Sequence, residues 1–261
     1  MFLTPSLGVA GLVIGTVAGA AAHMAIRAQA MWRYGFRPQL KLELSPEIRE
    51  TITLMLPKMI QIGMRQIMLW WFVRLASQVG EGSVTKYNFA YNFQSVPVSL
   101  IGIAIALASF SQLSHLAAQR DFKRFRDVVK LESIKIVVIT ALAAVALAII
   151  SRPLIWVLLG GGAFDHVAVN MTATLLQVYA FSIPLESLMH LLSRAHYAAR
   201  DTLRLSLIHI FAILCSMGAS WALLPVVGLF ALPIAFSVGF GIQSVLLGFS
   251  LIQLIKQKAR A

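Results

Sequence analysis

The chain has 261 residues, of which 59% are hydrophobic and only 12% are charged. Soluble domains carry about 25% charged residues, so this composition excludes an ordinary soluble enzyme. The net charge of +12 comes from short basic clusters between long apolar runs, a pattern typical of membrane-protein loops and not of a nucleic-acid binding surface. The single cysteine, Cys215, excludes an intrachain disulfide. We therefore predict an all-α polytopic membrane bundle of about seven transmembrane helices.

The first predicted span covers residues 7–26, which is long enough for a bilayer core of about 20 apolar residues. No basic residue precedes this run and it is long for a signal peptide, so we interpret it as a true membrane helix. Gly11, Gly15 and Gly19 form a small-xxx-small pattern that allows a partner helix to approach closely. The alternative is that glycine is simply frequent in membrane helices.

The second predicted span covers residues 52–77. The helix that contains it should begin at Pro46, because Ser45 suits the N-cap position and proline suits the first helical turn. Pro57 lies inside this helix and predicts a kink.

The third and fourth predicted spans cover residues 87–116 and 132–151. A glycine-rich turn at 78–83 precedes the third span, and Pro97 predicts a kink within it. The fourth span should end where Arg152 and Pro153 interrupt the apolar run.

The fifth predicted span, residues 167–192, is expected to be one helix that contains Pro184 as a kink. The apolar stretch from residue 205 to residue 255 is too long for a single span. The segment from Pro225 to Gly228 divides it into a sixth span at 205–223 and a seventh at 229–254.

Basic residues alternate between the two ends of these spans. The loops after spans one, three, five and seven hold five, six, three and three Lys or Arg residues, with Lys135 included in the six. The loop after span two holds only Lys86, the loop after span four holds only Arg152, and the loop after span six holds no Lys or Arg. Because cytoplasmic loops carry the excess of Lys and Arg, we expect the N-terminus outside and the C-terminus in the cytoplasm.

Among the charged or ionisable side chains inside the predicted spans or at their edges, five are selected for analysis: Lys58, Arg65, Arg74, Glu186 and His190. An ionised group at membrane depth costs at least about 2.5–3.5 kcal/mol, so such groups usually face a cavity or a partner. One interpretation is a polar cavity for an anionic substrate, since guanidinium groups match phosphate oxygens. The alternative is a structural salt bridge between Glu186 and Arg65, with Arg74 and Lys58 snorkelling to the interface.

The sequence contains no P-loop, no zinc-protease motif, no dinucleotide fingerprint and no credible catalytic triad. We therefore predict no catalytic residues, no cofactor and no metal. Helices interrupted by proline, as at Pro57, Pro97 and Pro184, are typical of transporters but also occur in static bundles.

Five stretches, taken in order, resemble the lipid II flippase family of bacteria (MurJ, also called MviN). The first, from Gly11 to Phe36, resembles the end of the family's sixth helix and the following loop. Four shorter motifs follow in the family's order and spacing. These are Gly82–Thr85 with Asn88–Pro97, Gly102–Ala104 leading to Phe110–Ser114, Gly162–Asp165, and Ser193–Thr202.

This resemblance implies a fold of about fourteen helices in two lobes, related to multidrug exporters of the MATE type. Residues 1–30 would then be the last helix of the first lobe, 31–51 a cytoplasmic connector, 52–255 the second-lobe bundle and 256–261 a cytoplasmic tail. The implied activity is movement of an undecaprenyl-pyrophosphate-linked peptidoglycan precursor across the bacterial cytoplasmic membrane by rocking of the lobes. The implied partners are this lipid, the surrounding membrane lipids and the remaining first-lobe helices, without nucleic acid.

The resemblance also selects Asn92 and Gln94 as candidate cavity residues. Tyr91 and Asn92 stand where many family members have Asp-Arg, so we hypothesise that Arg65 or Arg74 supplies the missing cation. Two other functions stay open from the residues alone. One is another transporter of the same superfamily, such as a polysaccharide-lipid flippase or a drug exporter. The other is a membrane scaffold that transports nothing.

Overall fold

The computed structural model describes residues 9–35, 45–162 and 164–258, and these residues are almost entirely helical. The chain divides into two compact units, Met1–Arg49 and Glu50–Ala261. The described residues contain no β-strand beyond one isolated bridge between Gly161 and Phe164. The helices are α1 Val9–Arg33, α2 Pro46–Val79, α3 Ser83–Pro97, a π-helix Val98–Ile103, α4 Ala104–Ala118, α5 Phe122–Leu159, α6 His166–Ala180, α7 Ser182–Ala198, α8 Thr202–Val227, a 3-10 turn Gly228–Phe230 and α9 Ala231–Lys258. The predicted all-α class is confirmed.

Three continuous helical segments are long and apolar enough to cross a membrane: 83–118, 122–159 and 202–258. The bent pair α6 and α7 qualifies as a fourth if its two helices form one span. The predicted spans near 52–77 and 7–26 are helical as α2 and, from residue 9 onward, α1, but they are not among these segments.

The third of these segments folds back on itself. Its 57 residues would extend about 85 Å as a straight helix, well beyond the 30 Å of a bilayer core. Gly228 has a positive φ of 57°, and Ser216 on α8 donates a hydrogen bond of 2.8 Å to the carbonyl of Ala235 on α9. The two helices therefore form an antiparallel hairpin, as the predicted division near residues 225–228 requires.

Side-chain caps fix several helix starts. The amide of Ile48 donates to Ser45 Oγ at 3.4 Å, which agrees with the predicted start of α2. Asp121 accepts from the Arg124 amide at the start of α5, and Asp165 accepts from the Ala168 amide at the start of α6. These bonds satisfy amide groups that lack a partner within the helix.

The backbone changes from α-helix to π-helix after Pro97. The α-helix ends at this residue and continues as a π-helix to Ile103 before α4 begins. Proline provides no amide hydrogen and crowds the carbonyl four residues earlier, and π-turns are one way in which a helix accommodates such a disturbance. The predicted kink site therefore coincides with an irregular turn. Pro57 lies within α2, but its side chain is outside the described part of the structure.

Two predictions about helix breaks are wrong. The fifth span is divided at Phe181, where α6 and α7 meet at 43°, so Pro184 falls in the first turn of α7. Proline is tolerated there because the first amides of a helix have no intrahelical acceptor. Conversely, α5 continues through Arg152 and Pro153 to Leu159. Gln177 of α6 donates to the carbonyl of Ala148 and to Ser151 Oγ, so a neighbouring helix supplies polar contacts one turn before the proline.

Aromatic side chains fill the centre of the second unit. Tyr179 is fully buried and its ring lies 5.5–6.3 Å from the rings of Tyr87, Tyr91 and Phe236. Phe72 of α2 packs edge-on against Tyr87 at 6.4 Å. This cluster joins α2, α3, α6 and α9 and borders the cavity described below.

Candidate functional site

A cavity of about 440 Å³ lies within the second unit, between α2, α4, α7, α8 and α9. Its polar lining consists of three cations and several neutral hydrogen-bonding groups, and apolar side chains such as Leu107 and Phe110 of α4 complete the wall. The polar lining residues are Lys58, Gln61, Arg65, His190, Ser193, Arg194, Tyr197, His209, Ser216 and Gln243. No Asp or Glu belongs to the lining in the part of the chain that the structure describes.

Arg65 forms an ion pair with Glu186 across this cavity wall. The Arg65 Nη2 atom donates to Glu186 Oε1 at 3.1 Å, and the two residues are 121 positions apart in the sequence. The Glu186 side chain is 5% exposed, whereas the Arg65 side chain is 39% exposed. The carboxylate is therefore buried behind the guanidinium, and Arg65 is the partner that faces the open space.

Gln94 holds the second oxygen of Glu186. Its Nε2 atom donates to Glu186 Oε2 at 2.9 Å and to Ser182 Oγ at 3.1 Å. Gln94 is fully buried on α3, so the amide and Arg65 together engage both carboxylate oxygens. A buried carboxylate requires such partners because an uncompensated charge in a low-dielectric interior is very costly. The network ties α2, α3 and α7 together.

A second contact between α2 and α7 lies at the other end of the cavity. The Tyr197 hydroxyl donates to Gln61 Oε1 at 3.4 Å, and Lys58 Nζ lies 5.4 Å from the centroid of the Tyr197 ring. Arg194, one helical turn before Tyr197, donates to the carbonyl of His190 at 3.3 Å. Since these contacts run backward along α2 and forward along α7, the two helices are antiparallel here.

A family model with the description "Lipid II flippase MurJ" matches residues 1–260. The chain belongs to the lipid II flippase MurJ family. Its relatives include a probable lipid II flippase MurJ of Bdellovibrio bacteriovorus, 29% identical over 193 residues, and the lipid II flippase MurJ of Burkholderia cenocepacia, 24% identical over 202 residues. These matches cover 74% and 77% of this chain but 37% and 39% of the relatives. The chain thus spans about two-fifths of the length of the curated relatives that it matches.

Solved structures support the fold. A lipid II flippase MurJ in an inward closed conformation superposes with a TM-score of 0.76 at 18% identity, covering 99% of this chain and 55% of the other. The MATE transporter VcmN of Vibrio cholerae in its bent form gives 0.72 at 14% identity, covering 98% and 58%. The predicted family and the relation to the MATE fold are confirmed, and the chain is a multi-pass membrane protein of this transporter family.

The candidate residues separate into three groups. Arg65 and His190 line the cavity. Glu186 and Gln94 lie directly behind Arg65 and position it without belonging to the lining. Arg74 and Asn92 are exposed and lie outside the lining.

Arg74 lies at 5.9 and 6.0 Å from the rings of Trp70 and Trp71, an arrangement typical of cation–π contacts. Of these two arginines on α2, Arg65 and not Arg74 belongs to the cavity lining. The salt-bridge interpretation of Arg65 and Glu186 and the cavity interpretation of Arg65 hold together, because the pair forms part of the wall.

Seven polar lining residues were not selected as candidates from the sequence: Gln61, Ser193, Arg194, Tyr197, His209, Ser216 and Gln243. Gln61 lies four residues before Arg65, and His190 and Arg194 have the same spacing, so each pair shares a helix face. This spacing could have identified Gln61 and Arg194. His209 and Gln243 sit in long apolar stretches with no such neighbour, and only the packing of α8 and α9 brings them to the cavity.

Within residues 9–35, 45–162 and 164–258, no group of three or more His, Cys, Asp or Glu side chains could hold a metal ion. The cavity combines positive charge, neutral donors and apolar surface. Such a lining suits binding of an amphiphilic anion by hydrogen bonds and ion pairs.

Proposed function

We propose that this chain forms part of a flippase that moves a lipid-linked peptidoglycan precursor, an undecaprenyl-pyrophosphate glycopeptide, across the bacterial cytoplasmic membrane. The observation that carries this proposal is a cavity with three cations and no described acidic lining residue, in a chain of the lipid II flippase MurJ family. A diphosphate is the anionic element of such a substrate, and lysine and arginine are the side chains that bind phosphate oxygens.

The mixed lining supports an amphiphilic substrate. Apolar side chains such as Leu107, Phe110 and Phe240 share the cavity with Lys58 and Arg65, so polar and apolar parts of one molecule could be accommodated together. The transport step requires no bond to form or break. The work of the protein is to replace water around the charged group while it moves between leaflets, because an unsolvated charge in the bilayer is costly.

We also propose that helices of a first lobe complete the transport path by alternating access. This follows from the family's two-lobed fold and from the coverage of about two-fifths of the curated relatives. In this arrangement α1 is the last first-lobe helix, residues 31–51 are the connector, and α2 to α9 form the second lobe. The Lys and Arg counts of the loops support an outside N-terminus and a cytoplasmic C-terminus.

Complementation tests the proposed function. Cells depleted of their lipid II flippase would express the complete gene product that contains this chain, either unaltered or with Lys58→Gln and Arg194→Gln combined. We expect the unaltered gene to restore growth and delivery of lipid-linked precursor to the outer leaflet. Absence of both, with normal membrane expression, would contradict the proposal. A drug-efflux phenotype without rescue would favour an exporter instead.

A further inference from the structure

Positive charge is distributed unevenly along the cavity wall, where charged residues of α2 and α7 stand at two levels. At the first level, Arg65 is paired with Glu186. At the second level, seven residues earlier on α2 and eight residues later on α7, stand Lys58 and Arg194. Seven or eight residues of helix correspond to about 10–12 Å, so the two levels lie at different depths of the same cavity.

The first level is neutral as it stands. Glu186 offsets the charge of Arg65, and Gln94 occupies the other carboxylate oxygen. An anionic ligand that engaged Arg65 here would have to compete with a carboxylate already held at 3.1 Å. Removing Arg65 from that carboxylate would leave a buried charge without its main partner, which is strongly unfavourable.

The second level keeps its positive charge. Neither Lys58 nor Arg194 has a carboxylate oxygen within 4.0 Å among the residues that the structure describes. Lys58 lies over the ring of Tyr197, and Arg194 uses Nη1 on the carbonyl of His190. Arg194 and Tyr197 are three residues apart on α7, so they lie on the same helix face, which Lys58 contacts at Tyr197.

A neutral donor on the cavity wall also lacks a partner. Gln243 of α9 is 4% exposed, and its buried Nε2 atom has no hydrogen-bond acceptor in the described structure. An unsatisfied buried amide is unfavourable, and an acceptor oxygen would recover much of the lost hydrogen bonding. Ser244, the next residue, donates to the carbonyl of Leu185 at 2.9 Å, so Gln243 lies near the first level and the second level is defined by its two cations.

We infer that Lys58 and Arg194 form an anion-binding subsite for a phosphate or diphosphate group, with Arg65 withheld from that group by Glu186. This inference rests on the proposed function for the identity of the carrier lipid, but the subsite itself is defined by the charges of the cavity. The lysine supplies a point charge and the arginine a planar donor fork, a combination suited to neighbouring phosphate oxygens.

The experiment measures binding of inorganic pyrophosphate to the 261-residue chain purified in neutral detergent, by isothermal titration and by the shift of the thermal midpoint. We expect Lys58→Gln and Arg194→Gln each to raise the Kd at least about tenfold. The matched controls Lys123→Gln and Arg152→Gln remove the same charges outside the cavity and should leave the Kd unchanged within about twofold. Lys58→Arg and Arg194→Lys should keep most of the affinity.

Glu186→Gln gives the sharper outcome. If Glu186 withholds Arg65, its neutralisation frees a third cation and lowers the Kd for pyrophosphate. If Arg65 were instead the main ligand of the anion, Arg65→Gln would raise the Kd as much as Lys58→Gln does, and that result would overturn the inference. The inference would also be overturned if the unaltered chain showed no saturable pyrophosphate binding. The same holds if the two control substitutions weakened binding as much as Lys58→Gln and Arg194→Gln. Gel filtration and the ligand-free thermal midpoint establish that each variant is folded.

Two further arms separate the subsite from the function. Mixed micelles that contain a polyprenyl diphosphate should compete with inorganic pyrophosphate; tighter binding of the lipid assigns the subsite to a lipid headgroup, and equal binding assigns it to a free phosphate. Pyrophosphate binding that depends on Lys58 and Arg194, together with failed complementation, would overturn the proposed function and leave the subsite standing. Full complementation by the double variant that has lost pyrophosphate binding would overturn the role of the subsite in transport.

Discussion

Gly102 of the π-helix lies directly against Ser187 of α7, so closely that a β-carbon on residue 102 would overlap the Ser187 side chain. Ser187 is fully buried and follows Glu186 in the sequence. The irregular turn after Pro97 therefore brings the backbone of one helix against the helix that carries the ion-paired carboxylate. Only glycine fits at residue 102 without displacement of one of these two helices.

Replacement of Gly102 tests this contact. We expect Gly102→Ala to destabilise the folded chain by about 1–3 kcal/mol, because the added methyl group overpacks a closed interface. The measurement is the free energy of unfolding in mixed micelles titrated with a denaturing detergent. The matched control is Gly218→Ala on α8, where a β-carbon meets nothing within 4 Å. That variant should change the stability by no more than about 1 kcal/mol, and equal losses in both variants would refute the packing argument.

The Arg65–Glu186 pair should respond asymmetrically to loss of either partner. We expect Arg65→Gln to cost about 2–4 kcal/mol of unfolding free energy, since it leaves a carboxylate that is 5% exposed without its cation. Glu186→Gln should cost less, about 1 kcal/mol, because Arg65 is 39% exposed and can be hydrated in the cavity. The double variant should be close to Glu186→Gln. A larger loss for Glu186→Gln than for Arg65→Gln would contradict the burial argument.

Lys258 links three helix ends in the second unit. Its Nζ atom donates to the carbonyl of Ala199 at the end of α7 at 2.7 Å and lies 5.9 Å from the ring centroid of Phe122 at the start of α5. We expect Lys258→Met to lower the unfolding free energy by about 1 kcal/mol through loss of the charge-assisted bond to the helix terminus. Lys256→Met, two residues earlier on an exposed position, is the control. Thermal midpoints that fall equally in both variants would show that the contact contributes nothing.

The proposed orientation can be measured with single cysteines in a Cys215→Ser background. Glu81→Cys lies in the turn between α2 and α3, and Lys123→Cys lies near the start of α5. We expect a membrane-impermeant maleimide to label residue 81 in intact cells and residue 123 only after permeabilisation, because the basic connector should face the cytoplasm. The reverse labelling pattern would invert the topology.

The sequence predicted those features that depend on local chemistry. The lengths of the apolar runs predicted most of the helices, and Ser45 predicted the start of α2. The segment from Pro225 to Gly228 predicted the turn between α8 and α9. The break at Phe181 was missed because no glycine or proline stands there, and proline three residues later directed the prediction to the wrong position. The continuation of α5 through Pro153 was missed because it depends on neighbouring helices, including the contacts from Gln177.

The candidate site was only partly predictable for the same reason. A charge inside an apolar run identifies Arg65 and Glu186 as unusual, and their opposite signs suggest pairing. Which way Arg74 points is decided by Trp70 and Trp71, and the approach of Gln243 to the cavity is decided by the packing of α9. The Arg74 contact could have been predicted, since Trp70 and Trp71 stand four and three residues earlier on the same helix, whereas the position of Gln243 could not.

The sequence separation of Arg65 and Glu186 has a consequence for biosynthesis. A ribosome that adds about 5–20 residues per second needs roughly 6–24 s to traverse the 121 positions between them. During that interval α2 has already been made, and its guanidinium has no carboxylate from α7 to meet. The nascent helix must therefore keep Arg65 hydrated or bound to a temporary anionic group until α7 is inserted, so correct pairing belongs to a late step of assembly.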